Sequence, residues 1–163
     1  MKKFLAALLS ALGFGAKSAE MRKVSAPDGA FSIMAPTTWA MAVDKFEVTA
    51  PNNGPSLGGI AFRIDRRPNL KDFSDKWFEG VNKMGIYKAV GEERSLENNG
   101  GIIREYEGVW PGDTFVTYNV VAYRNAGNTY ACVQLVTSKN DYNKNRSLYE
   151  KMLSTFEVHQ LRA

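Results

Sequence analysis

Residues 114–137 (TFVTYNVVAYRNAGNTYACVQLVT) decide the fold, because they are the most β-like stretch of this 163-residue chain. β-Branched and aromatic residues dominate residues 114–124 and 129–137, and these residue types are enriched in strands. The residues between them, Asn-Ala-Gly-Asn at 125–128, tolerate the positive φ angles of a tight turn. The stretch therefore predicts two antiparallel strands joined by a hairpin turn.

Two further turns precede this hairpin. Asn98-Asn99-Gly100-Gly101 separates predicted strands at residues 87–96 and 102–110, and Pro111-Gly112-Asp113 ends the second of them. Elements joined by short turns usually lie side by side. Three turns in succession therefore predict four neighbouring antiparallel strands, a β-meander.

Shorter strands are predicted nearer the N-terminus, at residues 31–34, 43–49 and 60–65. In the second of these, Phe46 and Val48 share one face. The third alternates, so one set of its side chains should be buried and the other should face water. The expected buried set is Ile60, Phe62 and Ile64. Residues 50–59 (APNNGPSLGG) are rich in helix and strand breakers and are predicted to form a loop.

Two stretches change to a helical period. In residues 70–84, Phe73, Trp77, Val81 and Met84 follow steps of four, four and three, the spacing of one helix face. Asn69 can cap the start of this helix and Gly85 can end it. Residues 141–156 are predicted to form the second helix. Its apolar stripe comprises Tyr142, Tyr149, Met152 and Phe156, widened by Leu148 and Leu153.

Amphipathic helices need a surface to cover, and the meander provides one. The sequence therefore predicts an α+β domain in which an antiparallel sheet is flanked by helices, an α/β/α sandwich.

The N-terminal residues are typical of a secretory signal peptide. Lys2 and Lys3 precede an apolar run at residues 4–14, and Ala16-Lys17-Ser18 places small residues at the −3 and −1 positions of a cut. An 11-residue apolar run is shorter than the ~18 residues that a bilayer-spanning helix needs. We therefore expect residues 1–18 to be a signal peptide, residues 19–163 to be one domain, and the protein to be periplasmic or secreted.

The charge balance argues against nucleic-acid binding. The whole chain carries 21 Lys and Arg against 17 Asp and Glu, a formal net charge of +4. Removal of residues 1–18 takes away three lysines and no acid, which leaves a nearly neutral domain without a concentrated basic surface. We expect neither a nucleic-acid partner nor an integral membrane span.

The residue counts also restrict the chemistry. One His and one Cys cannot build a zinc site by themselves, so no metal and no cofactor is expected. Cys132 lies in an apolar strand pattern, and we interpret it as a small buried residue rather than as a reactive thiol.

One motif resembles a catalytic signature. Gly54-Pro55-Ser56-Leu57-Gly58 fits G-x-S-x-G, which would make Ser56 the nucleophile of a small serine hydrolase with His159 as its base. The motif needs a strand-to-helix turn, whereas a loop precedes it and a strand pattern follows. We therefore favour a loop without catalytic function and expect no catalytic residues.

Glu105 and Glu107 lie two residues apart on a predicted strand, so both side chains point the same way. Such a pair could act across a sugar. The favoured interpretation is a solvated strand face that pairs with Arg or Lys across the ladder.

The candidate partner-binding residues are Arg63, Arg66, Arg67 and Trp110. The arginines form the densest basic group, and guanidinium groups suit the carboxylates of an acidic partner. Trp110 borders the turn at residues 111–113, and a tryptophan in that position is a plausible interface anchor. Local pairing of the arginines with Asp65 and Asp72 is the alternative.

The order of elements resembles the PsbP-like superfamily. An early strand that ends in Pro and is followed by Trp (FSIMAPTTW, residues 31–39) and a terminal helix that closes in Ser-Thr-Phe (KMLSTFEV, residues 151–158) carry the resemblance. Phe31, Pro36, Trp39 and Phe156 are its packing positions. The superfamily includes the photosystem PsbP proteins, exported bacterial DcrB-type proteins and the Eag chaperones of type VI secretion. The export signal matches the DcrB type.

The resemblance implies a non-enzymatic domain that binds other proteins. The function expected is therefore an exported, protein-binding domain of the cell envelope, such as an immunity or adaptor protein, whose partner is an envelope component, a toxin or an effector. The alternatives are an Eag-like chaperone that shields an apolar effector segment and the small serine hydrolase.

Overall fold

A computed structural model describes residues 19–84, 86–96, 100–109 and 113–161. The predicted signal peptide, residues 1–18, lies outside the described residues. The strands are β1 (Met21–Ser25), β2 (Phe31–Pro36), β3 (Ala40–Met41), β4 (Glu47–Thr49), β5 (Ser56–Arg63), β6 (Ile86–Ala89), β7 (Arg94–Leu96), β8 (Gly101–Val109), β9 (Thr117–Ala126), β10 (Thr129–Thr137) and β11 (Glu157–Val158). The helices are α1 (Leu70–Met84), between β5 and β6, and α2 (Lys139–Ser154), between β10 and β11.

The large sheet has the strand order β3-β4-β5-β10-β9-β8-β6, and β7 also pairs with β8. Every neighbouring pair is antiparallel. The predicted hairpin is confirmed. β9 and β10 pair along their length, from the Tyr118–Thr137 pair at the open end to the turn at the other end, where Gly127 has a φ of +59°. Together with the two helices, this sheet confirms the predicted α+β fold with an antiparallel meander.

A second sheet of three strands, in the order β1-β2-β11, joins the beginning of the described chain to its end. Only β2 was expected from the sequence. Val24 pairs with Ile33 on one side of β2, and Val158 pairs with Phe31 on the other. The small sheet therefore closes over one face of the large sheet.

The large sheet has a buried core on each face. On one face, which we call the small-sheet face, Val120, Val133 and Leu57 pack with residues of β2 and α2. On the other, the α1 face, Tyr106, Tyr123 and Cys132 pack against α1. The molecule is therefore layered as α1, large sheet, and then α2 together with the small sheet, which agrees with the predicted sandwich and adds the small sheet to it.

Both helices begin at side-chain caps. The Asp72 N–H donates to Oδ1 of Asn69 at 2.8 Å, as expected for the α1 cap, and the Asp141 N–H donates to Oγ of Ser138 at 3.1 Å. Phe156 lies just beyond α2 rather than within it. Its ring is nevertheless fully buried, so the predicted apolar stripe reaches the core as expected.

Three local predictions are wrong. Ser56 to Gly59 belong to β5 rather than to the loop, because their backbones pair with both β4 and β10. Val43 lies outside any strand and its side chain is fully exposed. The single strand expected at residues 87–96 is two strands, since Gly91 takes a φ of +76° between β6 and β7.

Candidate protein-binding site

The α1 face of the large sheet is only partly covered. Helix α1 packs on β6, β8 and β9, and its Phe73 and Trp77 rings also contact Phe62 near the end of β5. The remaining surface, from Ser56 to Ile60 of β5 with β4 and the adjoining part of β10, is open. The open part forms a groove of about 350 Å³. We call it the β5 groove, and its main lining residues are Glu47, Ser56, Gly58, Ile60, Trp77 and Val136.

Ile60 is the clearest sign that this surface is uncovered. The alternation of residues 60–65 predicted a buried Ile60, but its side chain is 43% exposed in the middle of β5. Neighbouring Gly58 has nothing within 4 Å of the position where a Cβ would stand. The sequence carried no signal for this gap, because the pattern of β5 is the same whether or not a helix covers it.

The groove continues past the end of the sheet. A second cleft, of about 460 Å³, shares Ser56 and Val136 with the β5 groove and reaches Phe115 and Val116. Both of these side chains are mostly exposed. The two clefts therefore form one apolar depression, open to solvent along its length.

Two side chains of the groove floor are tied to the sheet or buried in it. Nε2 of Gln134 donates to Oδ1 of Asn119 at 2.8 Å. The Cys132 side chain is buried against the α1 core, as predicted, and burial raises the pKa of its thiol far above the ordinary value. A thiol held neutral in this way is a poor nucleophile.

The three predicted arginines, Arg63, Arg66 and Arg67, lie in the stretch of chain from the end of β5 to the start of α1, and we call them the arginine corner. Arg63 ends β5, and Arg66 and Arg67 lie in the turn that leads to α1. All three are exposed, and Arg63 makes only a long ion pair of 3.7 Å with Asp65. Among the described residues, no ion pair involves Arg66 or Arg67. Trp110 lies outside the described residues, so its place in a binding surface stays a prediction.

Ser56 and His159 are held by different sheets. Ser56 begins β5 and pairs with Thr49 and Val136 in the large sheet. His159 follows β11, and its Nε2 lies 3.3 Å from Oγ of Ser32 in the small sheet. The strand-to-helix turn that the hydrolase motif requires is absent from this position, because Ser56 leads into an eight-residue strand.

Glu105 and Glu107 point to the same face, and each has its own cation. Glu105 contacts Arg94 at 2.6 Å, which confirms the expected pairing across the ladder, and Glu107 contacts Lys139 of α2 at 2.8 Å. Arg94 also contacts Glu150 of α2 at 3.1 Å. These carboxylates therefore tie α2 to the sheet.

Tyrosines complete this network. Tyr118 donates a short hydrogen bond to Glu105, and Tyr142 donates to Glu150 at 2.8 Å. Burial alone would raise the pKa of the Glu150 carboxyl, but the hydrogen bonds from Arg94 and Tyr142 outweigh it, so the pKa lies below the ordinary value.

Acidification should weaken the protein through this network. Because the pKa of Glu150 is lower in the folded than in the unfolded chain, its charge stabilises the fold above the ordinary pKa of 4.5, and this contribution is lost as the pH falls through the folded value. We expect the free energy of unfolding to decline below about pH 4.5. In the Arg94→Gln variant, urea unfolding across this pH range should show a shallower decline. Lys151→Gln, an exposed change elsewhere on α2, should keep the wild-type slope, and equal slopes in all three proteins would contradict the assignment.

The described residues carry neither a metal-binding cluster nor a membrane-spanning helix. No group of three or more His, Cys, Asp or Glu side chains within them is placed to hold a metal ion. None of the helices in the described part of the chain has the length and apolar character that crossing a bilayer requires.

Comparison with known proteins connects this chain to solved structures only. No protein-family model matches it, and no curated protein matches its sequence significantly. The cyanobacterial PsbP protein CyanoP from Synechocystis is 17% identical, with 90% of this chain and 96% of that chain covered and a TM-score of 0.64. The Ran-binding protein Mog1p of Saccharomyces cerevisiae is 12% identical, with 86% and 96% covered and a TM-score of 0.60.

A third similar structure is LpqN, a protein involved in cell envelope biogenesis of Mycobacterium tuberculosis. It is 10% identical, with 86% of this chain and 91% of that chain covered and a TM-score of 0.52. At these identities the likeness concerns the fold alone, and the expected relationship to DcrB-type proteins and Eag chaperones stays a prediction. The chain thus has the α+β fold that PsbP, Mog1p and LpqN share.

Proposed function

We propose that this protein is a non-enzymatic, protein-binding domain that works in the cell envelope after export. The observation that carries the proposal is the β5 groove, an apolar depression on a sheet face that is otherwise covered by α1. Exposed apolar surface next to polar surroundings is typical of protein interaction sites. The charged network around Arg94 ties α2 to the sheet, and the β5 groove and the arginine corner are the surfaces proposed for binding.

The proteins of similar fold support the same proposal. Mog1p is a Ran-binding protein, and LpqN is involved in cell envelope biogenesis. For this chain, these likenesses and the signal-like residues 1–18 support the proposal of a protein partner and an envelope location. An immunity or adaptor protein is the specific form of the proposal.

The arginine corner is proposed to bind an acidic surface of the partner. Arg63, Arg66 and Arg67 are exposed and weakly paired, so their guanidinium donors are available to carboxylates. Trp110 belongs to this proposal as an aromatic anchor on the strength of its sequence position.

Charge reversal of the arginine corner tests whether it binds an acidic surface of the partner. In the Arg63→Glu, Arg66→Glu, Arg67→Glu variant, we expect partner recovery from an envelope extract, quantified by mass spectrometry, to fall at least about tenfold. The matched control is Lys88→Glu with Lys144→Glu and Lys151→Glu, three exposed positions on β6 and α2, which makes the same change in net charge. Equal recovery by both variants would show that the corner does not bind the partner.

Export is tested by the mature N-terminus. We expect mass spectrometry of the protein from its native host to give a first residue at or near Ala19. A retained N-terminus would instead favour the second candidate, a cytoplasmic chaperone that shields an apolar segment of an effector, since the β5 groove suits an apolar segment equally well.

A further inference from the structure

Arg67 has a backbone conformation that is unusual for its residue type. Its φ is +45°, in the left-handed region that a side chain with a Cβ disfavours. The other described residues with a positive φ are all Gly or Asn, which tolerate this region. Pro68 follows directly, and a residue before proline is normally extended. The backbone at Arg67 is therefore strained, and a glycine at this position would relieve the strain.

The neighbouring chain holds Arg67 in this conformation. The Arg67 N–H donates to the Ile64 carbonyl at 3.3 Å and closes a turn. The Ile64 N–H in turn donates to the Asn128 carbonyl at 2.8 Å. The hydroxyl of Tyr130 donates to the Pro68 carbonyl at 2.5 Å. These bonds fasten the chain to β10 and its hairpin turn on both sides of Arg67, and strain persists where the surrounding structure fixes the backbone in this way.

The side chain of Arg67 contributes no contact to the part of the chain that the structure describes. It is exposed, and within the described ranges its guanidinium group takes part in no hydrogen bond, ion pair or ring contact. The fold itself thus gains nothing from an arginine where glycine would be less strained. Strain at a residue that the fold does not use is typical of a functional position.

The charges around Arg67 define the kind of group that it can bind. Residues 63–67 carry three guanidinium groups and one carboxylate, that of Asp65, so this stretch has an excess of positive charge. A guanidinium group offers two parallel N–H donors that match the two oxygens of a carboxylate. The proposed partner is a protein, and the anionic side chains of proteins are carboxylates. The complementary partner segment is therefore acidic.

We propose that Arg67 is the principal binding residue of the arginine corner and that its strained backbone holds the guanidinium group toward a carboxylate of an acidic partner segment. The inference rests on the proposed protein-binding function and names the residue and the bond on which that function depends. It implies a trade-off between binding and stability, since the residue that binds the partner is not the one that suits the backbone best.

Two substitutions separate the backbone of Arg67 from its side chain. Arg67→Gly removes both the side chain and the strain, whereas Arg67→Ala removes the side chain alone. We expect Arg67→Gly to melt about 2–4 °C above the wild-type protein, because glycine takes a positive φ without a Cβ contact. Arg67→Ala should melt within about 1 °C of the wild-type protein. Thermal unfolding followed by circular dichroism measures both shifts.

A capped hexaglutamate peptide probes carboxylate binding in an NMR titration at low salt. We expect the Nε–Hε signals of Arg66 and Arg67 to shift and saturate, and a hexaglutamine peptide to leave them unmoved. The dissociation constant of hexaglutamate should rise about tenfold in Arg67→Gly and in Arg67→Ala alike, because each loses the same charge-assisted pair. Lys144→Ala, an exposed position on α2 that loses one positive charge as well, is the matched control and should leave the constant unchanged.

Four results would overturn the inference. Equal melting temperatures of Arg67→Gly and Arg67→Ala would show that the backbone is not strained. No saturable shift in the wild-type protein, or unchanged affinity in both variants, would show that Arg67 is not the binding residue. Tighter binding of inorganic phosphate than of hexaglutamate would exclude a carboxylate as the bound group.

The recovery of the partner from an envelope extract distinguishes failure of this inference from failure of the proposed function. If one of the four results occurs while reversal of all three arginines still lowers recovery, the proposed function stands and only the role of Arg67 is wrong. If the reversal leaves recovery unchanged as well, the arginine corner does not bind the partner at all.

Discussion

Replacement of Phe156 by alanine should lower the free energy of unfolding by about 3–5 kcal/mol, the largest effect expected for a single side chain here. The ring is fully buried and meets that of Phe31 edge-on, with 5.9 Å between centroids. Phe156 comes from the chain segment between α2 and β11, so it joins the helix layer to the small sheet. Truncation removes apolar burial and leaves a cavity that the surrounding layers cannot close.

Urea unfolding followed by circular dichroism measures this loss. Phe115→Ala is the matched control, because the same side chain is there 61% exposed and its removal should change stability by no more than about 0.5 kcal/mol. Similar losses at the two positions would mean that Phe156 does not link the layers as described.

The second large effect is expected at Gly59. A Cβ at this position would lie 2.8 Å from two ring carbons of Phe31 and 3.0 Å from the ring of Phe46. Those rings pack edge-on at 4.7 Å and are buried, so neither can move aside easily. We expect Gly59→Val to cost about 1–3 kcal/mol, and more if β5 shifts.

Gly58 provides the control for this substitution. It directly precedes Gly59 in β5, and a side chain at this position would point into the open β5 groove. Gly58→Val should leave stability unchanged or raise it slightly, because valine suits a strand better than glycine. Thermal unfolding of the two variants in parallel compares their stabilities. Equal melting temperatures would refute the packing described for Phe31 and Phe46.

Local periodicity was sufficient to predict the elements with strong patterns. The helix at residues 70–84 was predicted at its observed bounds, since its cap and its stripe lie within the segment itself. The meander was predicted from its turns. In both cases the information is local, because a helix face or a tight turn is determined by residues close together in the chain.

The small sheet could not be predicted in the same way. β1 is five residues with two exposed charges, and β11 is two residues long. Both exist because β2 offers backbone hydrogen bonds on each side. β1 lies within 15 positions of its partners in β2, whereas β11 pairs across more than 120 positions, as between Glu157 and Ser32. Pairing at that range leaves no periodic trace in β11, and the two exposed charges of β1 hide its strand pattern.

The binding role of the arginine corner stays a prediction, since Arg63, Arg66 and Arg67 are a cluster in the sequence and are exposed in the structure. The β5 groove was missed because coverage of a sheet face depends on where α1 crosses it. The exposure of Ile60 reveals it.

The arrangement of the small sheet sets the order in which this protein can fold. β2 needs β11 as its second neighbour, and Phe31 needs Phe156, so the main core is complete only after residue 158 is available. Contacts of such long sequence separation slow folding, because a large loop must close before they form. A nascent chain would consequently complete this core only once residue 158 has been synthesised, and truncation before Phe156 would leave Phe31 and its neighbours exposed to aggregation.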